Sequence, residues 1–448
     1  MLTFSDAEVA PMTRTESTVV PAAQRILAPG VARREAWGWA MYDFANSSYT
    51  TVVITAIFNA YFVAVVAGGQ AWATLAWTAA LAVSNLLLMV IGPVLGAYAD
   101  LHGNKKRLLL ASTVGCVAST AALALAGPET LGQTMLLLVL SSMFFGIGEN
   151  LSAAFLPELA TDEHQGRLSG WGWSLGYLGG LLTLGLCLLY VDWAAARGQQ
   201  AMQFVPVTML ITAAVFGTAS VPTFLLLRER AQAQGSAAGT AGQAAARLLR
   251  TLRRARHYPD LRRFLLCIVV YQAGIQTVIA LAAIYAQQAL GFTTRDTVLL
   301  IIVVNVTAAV GAFAFGYIQD RIGHVATIAA TLAGWILMTA LAWLARGPLL
   351  FWIAANIAGL CLGASQSSAR AFIGVLSPAA RRAEFFGLWG MAVRLASIVG
   401  PLTYGLVSWL SQGDHRQAML INGGFFLAGL LLLLMVDAER GKRAAQDE

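Results

Sequence analysis

Four ionisable residues, Asp43, Glu149, Arg370 and Arg394, stand inside otherwise apolar stretches of this 448-residue chain. A charge near the middle of a bilayer costs about 2.5–3.5 kcal/mol on insertion scales, so such residues face a cavity or a partner. Two acids fall in the first half and two bases in the second. That distribution suits ion pairs that form and break across an interface between halves. It also suits proton uptake at Asp43 or Glu149 as their surroundings alternate, or fixed pairing that holds helices together. All three readings remain open from the sequence. Amides accompany the charges. At helical spacing Asp43, Asn46 or Ser47, and Thr50 share one face, Asn150 follows Glu149, Gln272 and Gln276 are one turn apart, and Gln366 precedes Arg370 by one turn. Polar side chains on facing helices can bind a solute with donors and acceptors, and they can equally tie helix to helix.

A second constellation occurs twice. Its first copy holds Gly96, Asp100, Gly103, Lys105, Lys106 and Arg107; its second holds Gly316, Asp320, Arg321 and Gly323, nearly half the chain later. In each copy a glycine near a helix end admits a neighbouring helix, an acid follows one turn on, and a second glycine turns the chain sharply. The acid can cap a neighbour's amino end or pair with an Arg. Such an arrangement is expected of a latch between helices that separate during a rocking motion.

The elements that position these groups are apolar helices. Hydrophobic residues make up 58% of the chain and charged residues 11%, a balance that places most of it in lipid. A hydrocarbon core of roughly 30 Å takes about 20 helical residues, and about twelve runs qualify. They are 38–67, 72–99, 107–126, 131–156, 168–190, 204–227, 263–290, 297–319, 324–345, 348–376, 385–410 and 417–436. Backbone groups in lipid pair within their own segment, so the expected form is an all-α membrane protein of twelve transmembrane helices in two pseudo-symmetric six-helix halves.

Loops on one side carry Arg197, Arg295, Arg346 and Arg416 as their only bases, while the remaining Lys and Arg outside the bilayer cluster on the other side with both termini. The positive-inside rule makes that side cytoplasmic, so the net charge of +7 reads as topology and not as nucleic-acid binding. The expected organisation is a cytoplasmic tail 1–36, a six-helix half 37–227, a basic linker 228–262, a second half 263–436 and a cytoplasmic tail 437–448. Within the linker, Arg247 to Arg256 suits either a short helix on the anionic inner leaflet or a solvated tether. The polar opening residues show no removable signal peptide.

Cys116, Cys187, Cys267 and Cys361 show no paired or metal-ligand spacing and read as packing residues. Trp37, Trp39, Trp171 and Trp173, at helix starts, read as an interfacial belt. No phosphate-binding glycine loop, metal spacing or nucleophile elbow is present, so the expectation is neither an enzyme nor a cofactor or metal protein.

The twofold signature, on twelve spans, resembles the one joining the second and third helices in the major facilitator superfamily, with Leu101 standing where an Arg is usual. Further phrases narrow the resemblance: Tyr42-Asp43-Phe44-Ala45-Asn46-Ser47-Ser48-Tyr49, Ala154-Phe155-Leu156-Pro157-Glu158-Leu159, Leu168-Ser169-Gly170 through Gly180, Gln366-Ser-Ser-Ala-Arg370-Ala-Phe372, Ala383-Glu384-Phe385-Phe386-Gly387-Leu388, and Gly400-Pro401. Together they are similar to the vacuole effluxer-like family, which includes fungal vacuolar amino-acid exporters and bacterial members. The resemblance implies that the first, fourth, seventh and tenth helices line a central cavity, placing Asp43, Glu149, Gln272, Gln276 and Arg370 on cavity helices with Arg394 on a neighbour. The expected function is secondary transport of a small polar solute by alternating access, in the form of amino-acid efflux. A drug or sugar transporter of the same fold, or a non-transporting receptor or scaffold, is the alternative. Protons are the candidate coupling ion, and the expected state is a monomer in a bacterial cytoplasmic membrane.

Overall fold

In the computed structural model, residues 26–70, 73–230, 258–290, 292, 294–410 and 415–446 are described. Among them the regular elements are helices, with one isolated antiparallel bridge between Leu27 and Ala160. The first half contains α1 (Arg33–Tyr49, prolonged to Val66), α2 (Ala73–His102), α3 (Lys105–Ala122), α4 (Leu131–Ala153), α5 (Gln165–Ala195) and α6 (Ala201–Leu226). The second contains α7 (Pro259–Leu290), α8 (Thr294–Ile322), α9 (His324–Leu344), α10 (Pro348–Leu376), α11 (Arg382–Leu410) and α12 (His415–Leu433), followed by the short polar α13 (Ala438–Gln446). Eleven of these are long and apolar enough to span a membrane by themselves; α12 and α13, bent 62° from each other, pass only as a pair and bring the number to twelve when counted as one span. The basic linker between 231 and 257, including the Arg247–Arg256 stretch, and residues 1–25 lie outside the described residues.

The halves repeat one packing scheme. In the first, α1 packs on α5 and α6, α4 on α2 and α3, and α3 on α6; in the second, α7 packs on α11 and α12, α10 on α8 and α9, and α9 on α12. Between halves α5 lies along α8 and α2 along α11, the same relationship seen from either half. Close approach relies on missing side chains. A Cβ on Gly363 would sit 1.8 Å from the Ala308 carbonyl oxygen, and one on Gly170 would sit 2.5 Å from that of Ala312. The first contact binds α10 to α8 within a half; the second binds α5 to α8 across the interface.

Local structure departs from the expected uninterrupted first helix. From Thr50 to Ala56, and again from Phe62 to Val66, α1 widens into π-helical turns. Residues Thr50 to Thr55 are six consecutive β-branched residues, which crowd a regular α-turn. Thr50 opens the first of these turns, directly after the regular helix that carries Asp43. Its hydroxyl donates to the Ser47 carbonyl at 3.3 Å.

Candidate functional site

Arg370 is supplied by α10 of the second half, yet everything that holds its guanidinium belongs to the first. Its Nη1 donates to Asp43 Oδ2 at 2.5 Å, its Nε to Ser169 Oγ at 3.0 Å and its Nη2 to the Ser169 carbonyl at 2.8 Å. Trp39 and Trp173 present their rings to it, with centroids 4.8 and 5.4 Å from Cζ. One turn of helix separates Trp39 from Asp43 on α1, and another separates Ser169 from Trp173 on α5, so each helix offers one acceptor and one aromatic face. Gly172 lies between them: a Cβ there would fall 2.4 Å from Asp43 Oδ2 and 2.6 Å from Arg370 Nη2. Arg370 is only 3% exposed. A buried charge of this kind is tolerated because it is paired with a carboxylate, hydrogen-bonded through all three of its nitrogens and set against two aromatic rings.

The second pair is wetter. Arg394 Nη2 on α11 donates to Glu149 Oε2 on α4 at 2.7 Å, with side-chain exposures of 18% and 30%. Beside it, Asn150 wedges between the halves. A Cβ on Gly390 of α11 would meet its amide at 2.3 Å, and one on Gly92 of α2 at 3.3 Å. The four intramembrane charges thus form two pairs, each joining an acid of the first half to a base of the second.

Of the two uses the sequence leaves open for the amides, one pair makes a tie between helices. Gln272 Nε2 on α7 donates to Gln366 Oε1 on α10 at 2.9 Å, a tie within the second half. Gln276 is half-buried and does not join it. Asn46 is buried with its Oδ1 unpartnered.

At one end of the bundle, called here the motif face, the two acids of the repeated signature do the same job on opposite partners. Asp100, ending α2, accepts the backbone N–H of Glu384 at 3.0 Å. Asp320, ending α8, accepts the backbone N–H of Arg167 at 3.3 Å and pairs with its Nε at 3.2 Å. Glu384 is the third residue of α11 and Arg167 the third of α5. Each acid is therefore an N-cap supplied from the other half, satisfying an amide its own helix cannot and meeting the positive end of the helix dipole. Gly103 and Gly323, with φ of 60° and 87°, turn the chain after each acid as only a glycine does readily. Gly316 admits α5, since a Cβ there would lie 2.9 Å from the Gly166 carbonyl oxygen. Gly96 is buried on α2.

The basic residues of the first copy act within their own half. Lys105, 2% exposed, pairs with Glu158, and Lys106 takes Glu229 Oε2 on its backbone N–H at 2.7 Å. Arg107 and Arg321 are exposed.

Sequence reasoning overlooked three partners of Arg370. Ser169 stands in the sequence only within a family phrase, and Trp39 and Trp173 read there as part of an interfacial belt. That assignment fits Trp37, which is 51% exposed, but not Trp39, which is wholly buried and donates its Nε1 to the Ser152 carbonyl at 2.8 Å. The usable signal was the one-turn spacing of each tryptophan from its acceptor.

A twelve-helix bundle of two repeated halves, with paired charges and capping acids across their interface, defines a transporter of the major facilitator type. Solved structures share the fold: the human organic anion transporter MFSD10 has a TM-score of 0.71 at 17% identity, covering 90% of this chain and 99% of that one. The E. coli fucose:proton symporter FucP gives 0.68 at 13% identity, with 90% and 98% covered. The family model "Vacuole effluxer Atg22 like" matches residues 65–446, and the chain belongs to that family. Among relatives, the uncharacterized MFS-type transporter YxiO of Bacillus subtilis is 27% identical over 92% of this chain and 96% of its own length. Autophagy-related protein 22-1 of Aspergillus niger is 27% identical over 62% of this chain and 48% of its own length. The protein is a multi-pass membrane transporter and not an enzyme.

Proposed function

We propose that this chain exports a small polar solute by alternating access, with amino acids the first class to examine, and that the described conformation is the one closed at the motif face. The observation that carries this reading is the capture of Arg370 by Asp43, Ser169, Trp39 and Trp173, all from the opposite half. A bond network that spans the two halves must break when they part at that end. The same is true of the Glu149–Arg394 pair and of the two capping acids. The halves are 37–227 and 263–436, the motif face is cytoplasmic together with both termini, and the working unit is a monomer in a bacterial cytoplasmic membrane. Asp43 and Glu149 are the acids available to a coupling proton once their bases withdraw.

Flux in proteoliposomes tests the reading. Counterflow of a panel of radiolabelled amino acids, sugars and nucleosides should reveal at least one solute that exchanges through the wild type and not through Asp43→Asn. Absence of exchange across the panel, together with tight binding of a protein partner, would replace transport with a scaffold role. An imposed pH gradient that drives no uphill movement would remove the proton.

A further inference from the structure

We propose that the pocket now filled by Arg370 is a binding site for the guanidinium group of a cationic organic solute, with Arg370 as its resident occupant while the motif face is closed. This rests on the alternating-access reading above and names the chemistry of its solute. Asp43 and Ser169 supply only acceptors to the present occupant: one carboxylate oxygen, one hydroxyl and one carbonyl, at 2.5, 3.0 and 2.8 Å. Trp39 and Trp173 add two π-faces, which attract cations and repel anions. Arg370 is the base facing Asp43 among the described residues. When α10 moves away with the second half, the first half keeps a carboxylate between two tryptophans with nothing to neutralise it. Leaving that charge uncompensated is unfavourable, so in the open form a proton and an organic cation from the newly exposed side compete for Asp43.

The present hydrogen bonds specify which cation. Nε, Nη1 and Nη2 each donate once, so a mono-alkylated guanidinium reproduces all three bonds in the same planar fork. An alkylammonium is a point charge without that fork, and it should bind more weakly. A further donor waits nearby, as Trp173 Nε1 is buried without a partner; it suits an acceptor elsewhere on the solute. Closure then requires solute and Arg370 to exchange places, which links solute release to the return of the closed form.

The test uses the full chain in nanodiscs with butylguanidinium as probe, and butylammonium, butylurea and butyrate as controls. Wild type should bind butylguanidinium weakly, because Arg370 competes for the pocket. Arg370→Ala should bind it at least about ten-fold more tightly, since the competent fraction rises when the competitor is removed. Adding Asp43→Asn to Arg370→Ala should abolish that binding. If Arg370→Ala fails to fold, Arg370→Lys decides: it keeps a base but loses the planar fork, leaves every acceptor of the pocket in place, and should tighten butylguanidinium binding a few-fold. An affinity unchanged or lowered in the folded Arg370→Ala protein, tight binding that survives loss of Asp43, or a preference for butyrate overturns the proposal. Transport is scored separately by counterflow. Exchange of other solutes with no butylguanidinium binding in Arg370→Ala defeats this site and leaves transport standing. Tight binding with no flux of any solute upholds the site and defeats the transport reading.

Discussion

Asp320 accepts the backbone N–H of Arg167 at 3.3 Å and pairs with its side chain at 3.2 Å, so a residue ending α8 in one half caps the start of α5 in the other. Asp100 repeats the relationship on Glu384 of α11. Two acids related by the internal repeat thus close one end of the bundle by capping helices that neither could reach if the halves parted.

Loss of a side-chain N-cap costs about 0.5–2 kcal/mol. Asp100→Ala and Asp320→Ala should each therefore raise the population open at the motif face by about 2- to 30-fold, and the double variant should exceed either. Asn keeps the capping oxygen and loses the charge, so Asp320→Asn should fall between Ala and wild type. Alkylation rates of a cysteine placed at the motif face measure the difference.

Asp43→Asn leaves the Arg370 guanidinium buried without its carboxylate, a situation that costs about 3–5 kcal/mol when one partner of a buried pair is removed. Solute flux should be lost in Asp43→Asn and in Arg370→Ala while insertion into the membrane persists. Thermal unfolding of the singles and the double should show a coupling of about 0.5–3 kcal/mol. Additive losses would mean that the two residues do not act as a pair.

The Glu149–Arg394 pair keeps more solvent exposure, at 30% and 18%, so water screens it more than the Asp43 pair. Glu149→Gln should lower thermal stability less than Asp43→Asn does, because its removal leaves a less deeply buried base unpaired. The exchange Glu149→Arg with Arg394→Glu should recover flux that either single reversal loses. Flux measured in all three variants checks the pairing.

Gly170 and Gly363 separate closure from folding. A Cβ on Gly363 strikes backbone of the same half and one on Gly170 strikes backbone of the other. Gly363→Ala should lower the melting temperature sharply. Gly170→Ala should instead leave folding largely intact and favour the form open at the motif face, read by the same cysteine alkylation.

The sequence made the bundle legible because a span and a turn glycine each leave a local mark: the tenth span was bounded at 348–376, where α10 lies. For Asp100 and Asp320 the spacing offers two uses, capping a helix or pairing with an Arg, and does not choose between them; Asp320 does both with Arg167. Partner identity was not legible. Nothing in the spacing of Lys105 says that it turns back to Glu158 within its own half, and Gln272 and Gln366 meet through the packing of α7 on α10, which a linear pattern does not encode. The π-helical turns in α1 leave no mark in the apolar periodicity; the β-branched run at Thr50–Thr55 is the feature that accompanies them. Trp39 was misassigned because position at a helix start says where a ring sits along the membrane normal, not whether it faces lipid or a guanidinium.

The central claim is that the two halves part at the motif face when the contacts between them are removed. Spin labels at Arg107→Cys on the first half and Ile322→Cys on the second, both at exposed positions, report the distance across that face by pulsed electron paramagnetic resonance. The wild type should give one short distance. Asp100→Ala combined with Asp320→Ala should add a longer population that grows again with Arg370→Ala, whereas an unchanged distribution in all three proteins would contradict the rocking of two halves about these bonds.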